Sequence, residues 1–120
     1  MSRILAVDDS ASMRNMVRMT LTAAGFDVVQ AEDGDAALEL ARASSFDLVL
    51  ADLNMPRMDG VALVRALRAE ATYRTTPILM LTTESSAERK REGKAAGATG
   101  WIVKPFDPDQ LIATLKRVLG

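Results

Sequence analysis

The sequence predicts a doubly wound α/β fold built on a five-stranded parallel sheet. Two observations predict it. Four short apolar runs, Ile4-Leu5-Ala6-Val7, Leu48-Val49-Leu50-Ala51, Ile78-Leu79-Met80-Leu81 and Trp101-Ile102-Val103, are separated by stretches with helical spacing. Unbroken apolar runs of this length read as parallel strands buried on both faces. Strand-like and helix-like segments then alternate five times along 120 residues, with no linker, repeat or low-complexity segment. That alternation is the signature of stacked βαβ units.

Each element carries its own signal. After the first strand, Met13, Met16, Val17, Thr20, Leu21 and Ala24 follow helical spacing, and Gly25 suits the C-terminal cap. Asp27-Val28-Val29-Gln30 is a short second strand, Asp33-Gly34 marks a turn, and Asp35 opens a helix carrying Ala37, Leu38, Leu40 and Ala41. The third strand ends at Asp52, and the loop from Asn54 to Gly60 leads into a helix with Leu63, Val64 and Leu67. Pro77 precedes the fourth strand and Gly100 the fifth. The last helix starts near Pro108 and carries an apolar stripe of Leu111, Ile112, Leu115, Val118 and Leu119. The fourth helix, Ser85 to Ala98, is different. It is rich in Glu, Arg and Lys with Gly93 in its middle, which costs about 1 kcal/mol relative to Ala. It reads both as a solvated surface helix and as a weakly held element able to shift.

Composition narrows the function. The chain is the size of one domain, with 48% apolar and 26% charged residues, as in ordinary globular proteins. A net charge of −1 gives no electrostatic case for nucleic acid. No apolar stretch approaches the ~20 residues needed to span a bilayer, and Met1-Ser2-Arg3 leads straight into a strand without room for a signal peptide. A cytoplasmic protein without membrane insertion is expected. There is no Cys and no His, which rules out thiol nucleophiles, thiolate or imidazole metal sites and Ser-His triads. Carboxylates, hydroxyls, lysine and backbone groups remain. A site of carboxylates alone favours a hard ion, Mg²⁺ first.

The four apolar runs each end in a group suited to phosphate or metal: Asp8-Asp9, Asp52, Thr82 and Lys104. Ligands of open parallel sheets bind outside the carboxyl ends of the strands, so these groups converge on one edge. Asp8, Asp9 and Asp52 in contact would repel one another and raise each other's pKa unless a cation is present. Asp9, Ser10 and Ser12 also suit helix capping, but one acid would suffice for that. With a metal beside it, Asp52 can attack phosphorus and form an aspartyl phosphate. Lys104 supplies a cation and Thr82 a hydroxyl for the phosphoryl oxygens. Alone, Thr82 reads as a helix cap and Lys104 as a solvated charge; position at consecutive strand ends gives them weight. A cis Lys104-Pro105 bond would turn the lysine towards the acids.

These residues closely resemble the receiver domains of two-component signalling, and within them the single-domain chemotaxis regulators. The carriers are Val7-Asp8-Asp9-Ser10, Ala31-Glu32-Asp33-Gly34, Asp52 to Gly60, Thr82-Thr83-Glu84 and Lys104-Pro105-Phe106, spread over essentially the whole chain. The resemblance implies a flavodoxin-like strand order 2-1-3-4-5, Asp52 as phosphoacceptor, and Mg²⁺ held by Asp8, Asp9 and Asp52 with the Asn54 carbonyl. It further implies Thr82 and Lys104 as sensors of the phosphoryl group, a cis bond before Pro105, and a histidine kinase as phosphodonor. Trp101 falls where such regulators place a rotating aromatic, usually Tyr; it reads equally as a strand residue half-buried by its amphipathic ring. Asn54 and Glu84 flank the expected phosphoryl group, where their polarity can orient water for dephosphorylation.

The expected function is therefore a phosphorylation-switched binding module, a monomer of one receiver domain over residues 1–120 without a fused output domain. Its expected output partner is a component of the flagellar motor switch. A phosphate sink or relay intermediate would use the same chemistry. A phosphatase of the haloacid dehalogenase kind would need an acid two residues after Asp52, where Asn54 stands.

Overall fold

The computed structural model describes residues 2–55, 58–83 and 87–120. Strands β1 (Arg3–Val7), β2 (Asp27–Ala31), β3 (Leu48–Asp52), β4 (Ile78–Thr82) and β5 (Gly100–Val103) alternate with helices α1 (Ala11–Ala23), α2 (Gly34–Ala43), α3 (Gly60–Ala69), α4 (Ala87–Ala96) and α5 (Pro108–Leu119). The sheet is parallel, in the order β2-β1-β3-β4-β5. Doubly wound topology and strand order are both as expected.

Alternation along each strand divides the core into two layers. Leu5, Val7, Val49 and Ala51 pack with Leu38, Leu63, Val64 and Leu67 under α2 and α3. Ile4, Ala6, Leu48 and Leu50 pack with Val17, Leu21, Leu111 and Leu115 under α1 and α5. Only the three inner strands are buried on both faces. β2 and β5 are the sheet edges, and Val103 is 49% exposed, so the Trp101-Ile102-Val103 run is not the doubly buried strand its composition suggested.

Helix ends also differ in detail. Asp33 is the N-cap of α2, accepting from the Ala36 N–H at 2.8 Å, so the helix opens at Gly34 and not at Asp35. Ser10, not Asp9, caps α1, accepting from the Met13 N–H. Gly25, just past α1, takes the positive φ that its predicted capping role requires. α4 stops at Ala96, short of Ala98, because Gly97 has φ +112°. The Ala98 N–H donates to the Gly93 carbonyl and the Gly97 N–H to that of Lys94, a Schellman ending. Ser85 lies outside the described residues.

Two polar anchors hold the opposite end of the fold from the acidic strand ends. The Tyr73 hydroxyl is buried and donates towards the carbonyls of Ala41 (2.6 Å) and Ser44 (2.7 Å) at the end of α2. The Arg68 guanidinium donates to the carbonyls of Tyr73, Thr76 and Gly97, tying α3 to the end of α4. Tyr73→Phe would leave these carbonyls without their partner, so stability should fall by about 1–3 kcal/mol. A lower urea midpoint at unchanged slope is the expected reading; an unchanged midpoint would refute the anchor.

Candidate functional site

Strand register assembles the site. Val7 stands opposite Ala51, Asp52 opposite Leu81, and Thr82 opposite Val103. Asp8, Asp52, Thr82 and Lys104 therefore leave four adjacent strands at nearly one level. Asp8, Asp52 and Thr82 are all buried, whereas Asp9 is exposed. Oxygens from Asp8, Asp9 and Asp52 lie within 4.8 Å of one another. The three predicted acids do meet.

Lys104 balances two of them. Its ammonium donates to Asp8 Oδ2 and to Asp52 Oδ1, each at 3.1 Å. The bond between Lys104 and Pro105 is cis, as the resemblance implied. Asp8 is fixed further by the Ser10 N–H, which donates to Oδ1 at 2.9 Å. The Arg14 side chain donates to the Asp8 backbone carbonyl at 2.7 Å, fastening α1 to the end of β1. Nothing in the sequence distinguished Arg14 from other helix arginines. Behind Asp52 the chain turns back tightly: the Gly60 N–H donates to the Leu53 carbonyl at 2.7 Å. A Cβ on Gly60 would come within 2.6 Å of the Asp52 carbonyl oxygen, so only glycine fits there.

The electrostatics are those of a cation site. Burial, then the neighbouring charge of Asp8, pushes the Asp52 carboxyl above its ordinary value, although Lys104 and the Asn54 backbone N–H pull the other way. For Lys104, burial opposes the charge, but Asp52 and Asp8 outweigh it and hold the ammonium above its ordinary value. One lysine thus leaves Asp52 with a net cost of ionisation. Three hard oxygen donors under mutual repulsion fit a hard divalent cation.

The remaining predicted residues differ in where they lie. Asn54 is exposed at the start of the loop after β3. Thr82 is fully buried at the end of β4, and its carbonyl accepts from the Lys104 N–H at 2.7 Å. Glu84 lies outside the described residues. Trp101 is half-buried and turned inward, its ring packed towards α4 and its Nε1 buried, without a hydrogen-bond partner among the described residues.

Comparison with known proteins agrees with this geometry. The family model of the response regulator receiver domain matches residues 4–116. A chemotaxis protein CheY homolog of Campylobacter jejuni is 41% identical over 120 residues, covering 98% of this chain and 92% of that protein. The structure of the chemotaxis protein CheY4 of Vibrio cholerae superposes with a TM-score of 0.96 at 55% identity, covering 98% of both chains. The receiver domain of a sensor histidine kinase from Pseudomonas aeruginosa, solved with a magnesium ion coordinated in its active-site cleft, gives 0.92 at 28% identity over 99% of this chain and 98% of that one.

Proposed function

Because this chain belongs to the response regulator receiver domain family, we propose that it is a phosphorylation-switched signalling domain whose phosphoacceptor is Asp52. The observation that carries the reading is the pair of 3.1 Å contacts joining Lys104 to Asp8 and Asp52 across separate strand ends. The donor is a phosphohistidine of a histidine kinase, a reading supported by the receiver family; that histidine belongs to another protein, since this chain has none. An Asp52 carboxylate oxygen bonds to phosphorus while the P–N bond breaks, and the imidazole nitrogen keeps the bonding electrons. Asp8, Asp9 and Asp52, with the Asn54 carbonyl, would hold Mg²⁺. When bound, that ion offsets the charge of the carboxylates and phosphoryl oxygens. The relative solved with magnesium in its cleft supports this assignment.

Lys104 and Thr82 serve as donors to the phosphoryl oxygens. Lys104 then exchanges its carboxylate contact for a phosphoryl one, and the shift of Thr82 and Lys104 remodels the face made by α4, β5 and α5. The partner for that face is a flagellar motor switch protein, a reading supported by the chemotaxis names of the relatives in Campylobacter jejuni and Vibrio cholerae. Asn54 and Glu84 orient the water that returns Asp52 to its free carboxylate, so the domain catalyses only its own phosphorylation and dephosphorylation. We place the domain in the cytoplasm as a monomer; no helix among the described residues is long and apolar enough to cross a membrane.

Incubation with Mg²⁺ and acetyl phosphate should yield an acid-stable, base-labile phosphoryl adduct, and chelation of Mg²⁺ should prevent it. A chain that stays unlabelled under both conditions would refute the reading. Asp9→Ala removes one of the carboxylates, so Mg²⁺ affinity by calorimetry should fall by at least about tenfold. Unchanged affinity would take Asp9 out of the site.

A further inference from the structure

α4 poses a question that the phosphoryl site does not answer. It is a charged helix with only Gly93 and Ala96 buried, and glycine is a poor choice for a helix interior. The explanation lies in β5. A Cβ built on Gly93 would stand 2.4 Å from Cζ3 and 2.8 Å from Cη2 of Trp101. The outer edge of the indole therefore rests on the α4 backbone, in space that any side chain would fill. Among the described residues its buried Nε1 has no hydrogen-bond partner. Apolar packing against the core holds it.

We propose that Gly93 is a positioning residue for Trp101. The missing Cβ makes the seat in which the indole lies inward, and the pair sets how closely α4 approaches β5. A side chain at position 93 drives the ring out or lifts α4 from the sheet. Trp101 also borders an open groove of about 280 Å³ with Lys90, Lys94, Ala98 and Thr99, so the seat determines the shape of that surface. The seat requires no phosphoryl chemistry. Only its bearing on signalling rests on the proposed function.

The test uses the purified chain without phosphodonor, so its outcome is independent of whether Asp52 is phosphorylated. Trp101 is the only tryptophan and reports its own environment. Gly93→Ala should shift its emission to the red and raise acrylamide quenching towards that of the urea-unfolded chain. Stability supplies a second readout whose sign reverses. In the parent, Gly93→Ala should lower the thermal midpoint despite the better helix propensity of alanine. In a Trp101→Leu background the same substitution should raise it, because propensity then acts unopposed. Should Gly93→Ala fail to fold in the parent, a folded Gly93→Ala/Trp101→Leu protein would support the seat equally well. An equal rise of the midpoint in both backgrounds with unchanged emission would overturn the proposal. So would failure to fold in both backgrounds, which would place the clash elsewhere.

Discussion

Asp52→Asn should carry no base-labile phosphoryl group after incubation with Mg²⁺ and acetyl phosphate, a complete loss against the parent. The amide is close in shape to the carboxylate but offers no anionic oxygen to attack phosphorus. The chain has neither Cys nor His, so any remaining base-labile adduct would sit on another carboxylate or on a Ser or Thr hydroxyl, and in the proposed site Asp8 and Asp9 hold the cation. Full labelling of the variant at another residue would sink the assignment. The same substitution makes a thermodynamic prediction of opposite sense. Burial and the charge of Asp8 raise the Asp52 pKa, so the folded chain binds this proton more tightly than the unfolded chain does. Ionised Asp52 therefore costs stability at neutral pH, and that cost disappears as pH falls through the folded pKa. In a chelating buffer at pH 7, Asp52→Asn should unfold at a higher urea concentration than the parent. Added Mg²⁺ should narrow the gap, because the ion stabilises only the protein that binds it well. A less stable variant in chelator would contradict the electrostatic account.

The meeting of Asp8, Asp9, Asp52 and Lys104 is legible in the sequence because chemistry and topology coincide there. Strands that run straight into Asp8, Asp52, Thr82 and Lys104 leave little freedom in where those side chains emerge, and parallel register brings them level. Edge strands were less legible. Trp101-Ile102-Val103 has the composition of a doubly buried strand, and its exposure arises only because β5 has one neighbour in the sheet. Boundaries followed cap chemistry that permits several readings: Asp33, Gly34 and Asp35 can each begin a helix, and a side-chain hydrogen bond selects Asp33 as the cap. Arg68, Arg14 and Tyr73 gave no signal at all. One arginine resembles another in a chain that is 26% charged, and only tertiary structure shows which guanidinium is surrounded by carbonyls. Gly93 reads in the sequence as a cost to α4, whereas the ring that occupies the space of its missing side chain, Trp101, sits on another element and cannot be found by inspecting the helix.

Lys104→Met should separate the balancing of the acids from their chemistry. Methionine keeps much of the lysine stem and removes the ammonium that stands 3.1 Å from both Asp8 and Asp52. Two buried carboxylates then face each other without a counter-charge, and breaking such a buried pair costs about 3 kcal/mol or more. In chelating buffer the variant should unfold at a correspondingly lower urea concentration. Mg²⁺ should restore more stability to it than to the parent, since the ion no longer competes with a fixed cation. The gain in Mg²⁺ affinity should be about tenfold, or about 1.4 kcal/mol, well inside the ~4 kcal/mol that two charges ~4 Å apart exchange at an effective dielectric of ~20. Acidity provides an independent check. The raised Lys104 pKa means that its stabilisation is complete at neutral pH and is lost only as pH rises through the folded value, above the ordinary lysine range. Nothing about the ammonium therefore changes on the acid side. The deficit of Lys104→Met in chelator should nevertheless shrink as pH falls, because protonation of Asp52 removes the charge left unpaired. A variant with parental stability in chelator and unchanged Mg²⁺ affinity would show that the lysine does not balance these acids. A deficit that persisted at the acid end would trace the loss to packing of the lysine stem, and the charge argument would fail.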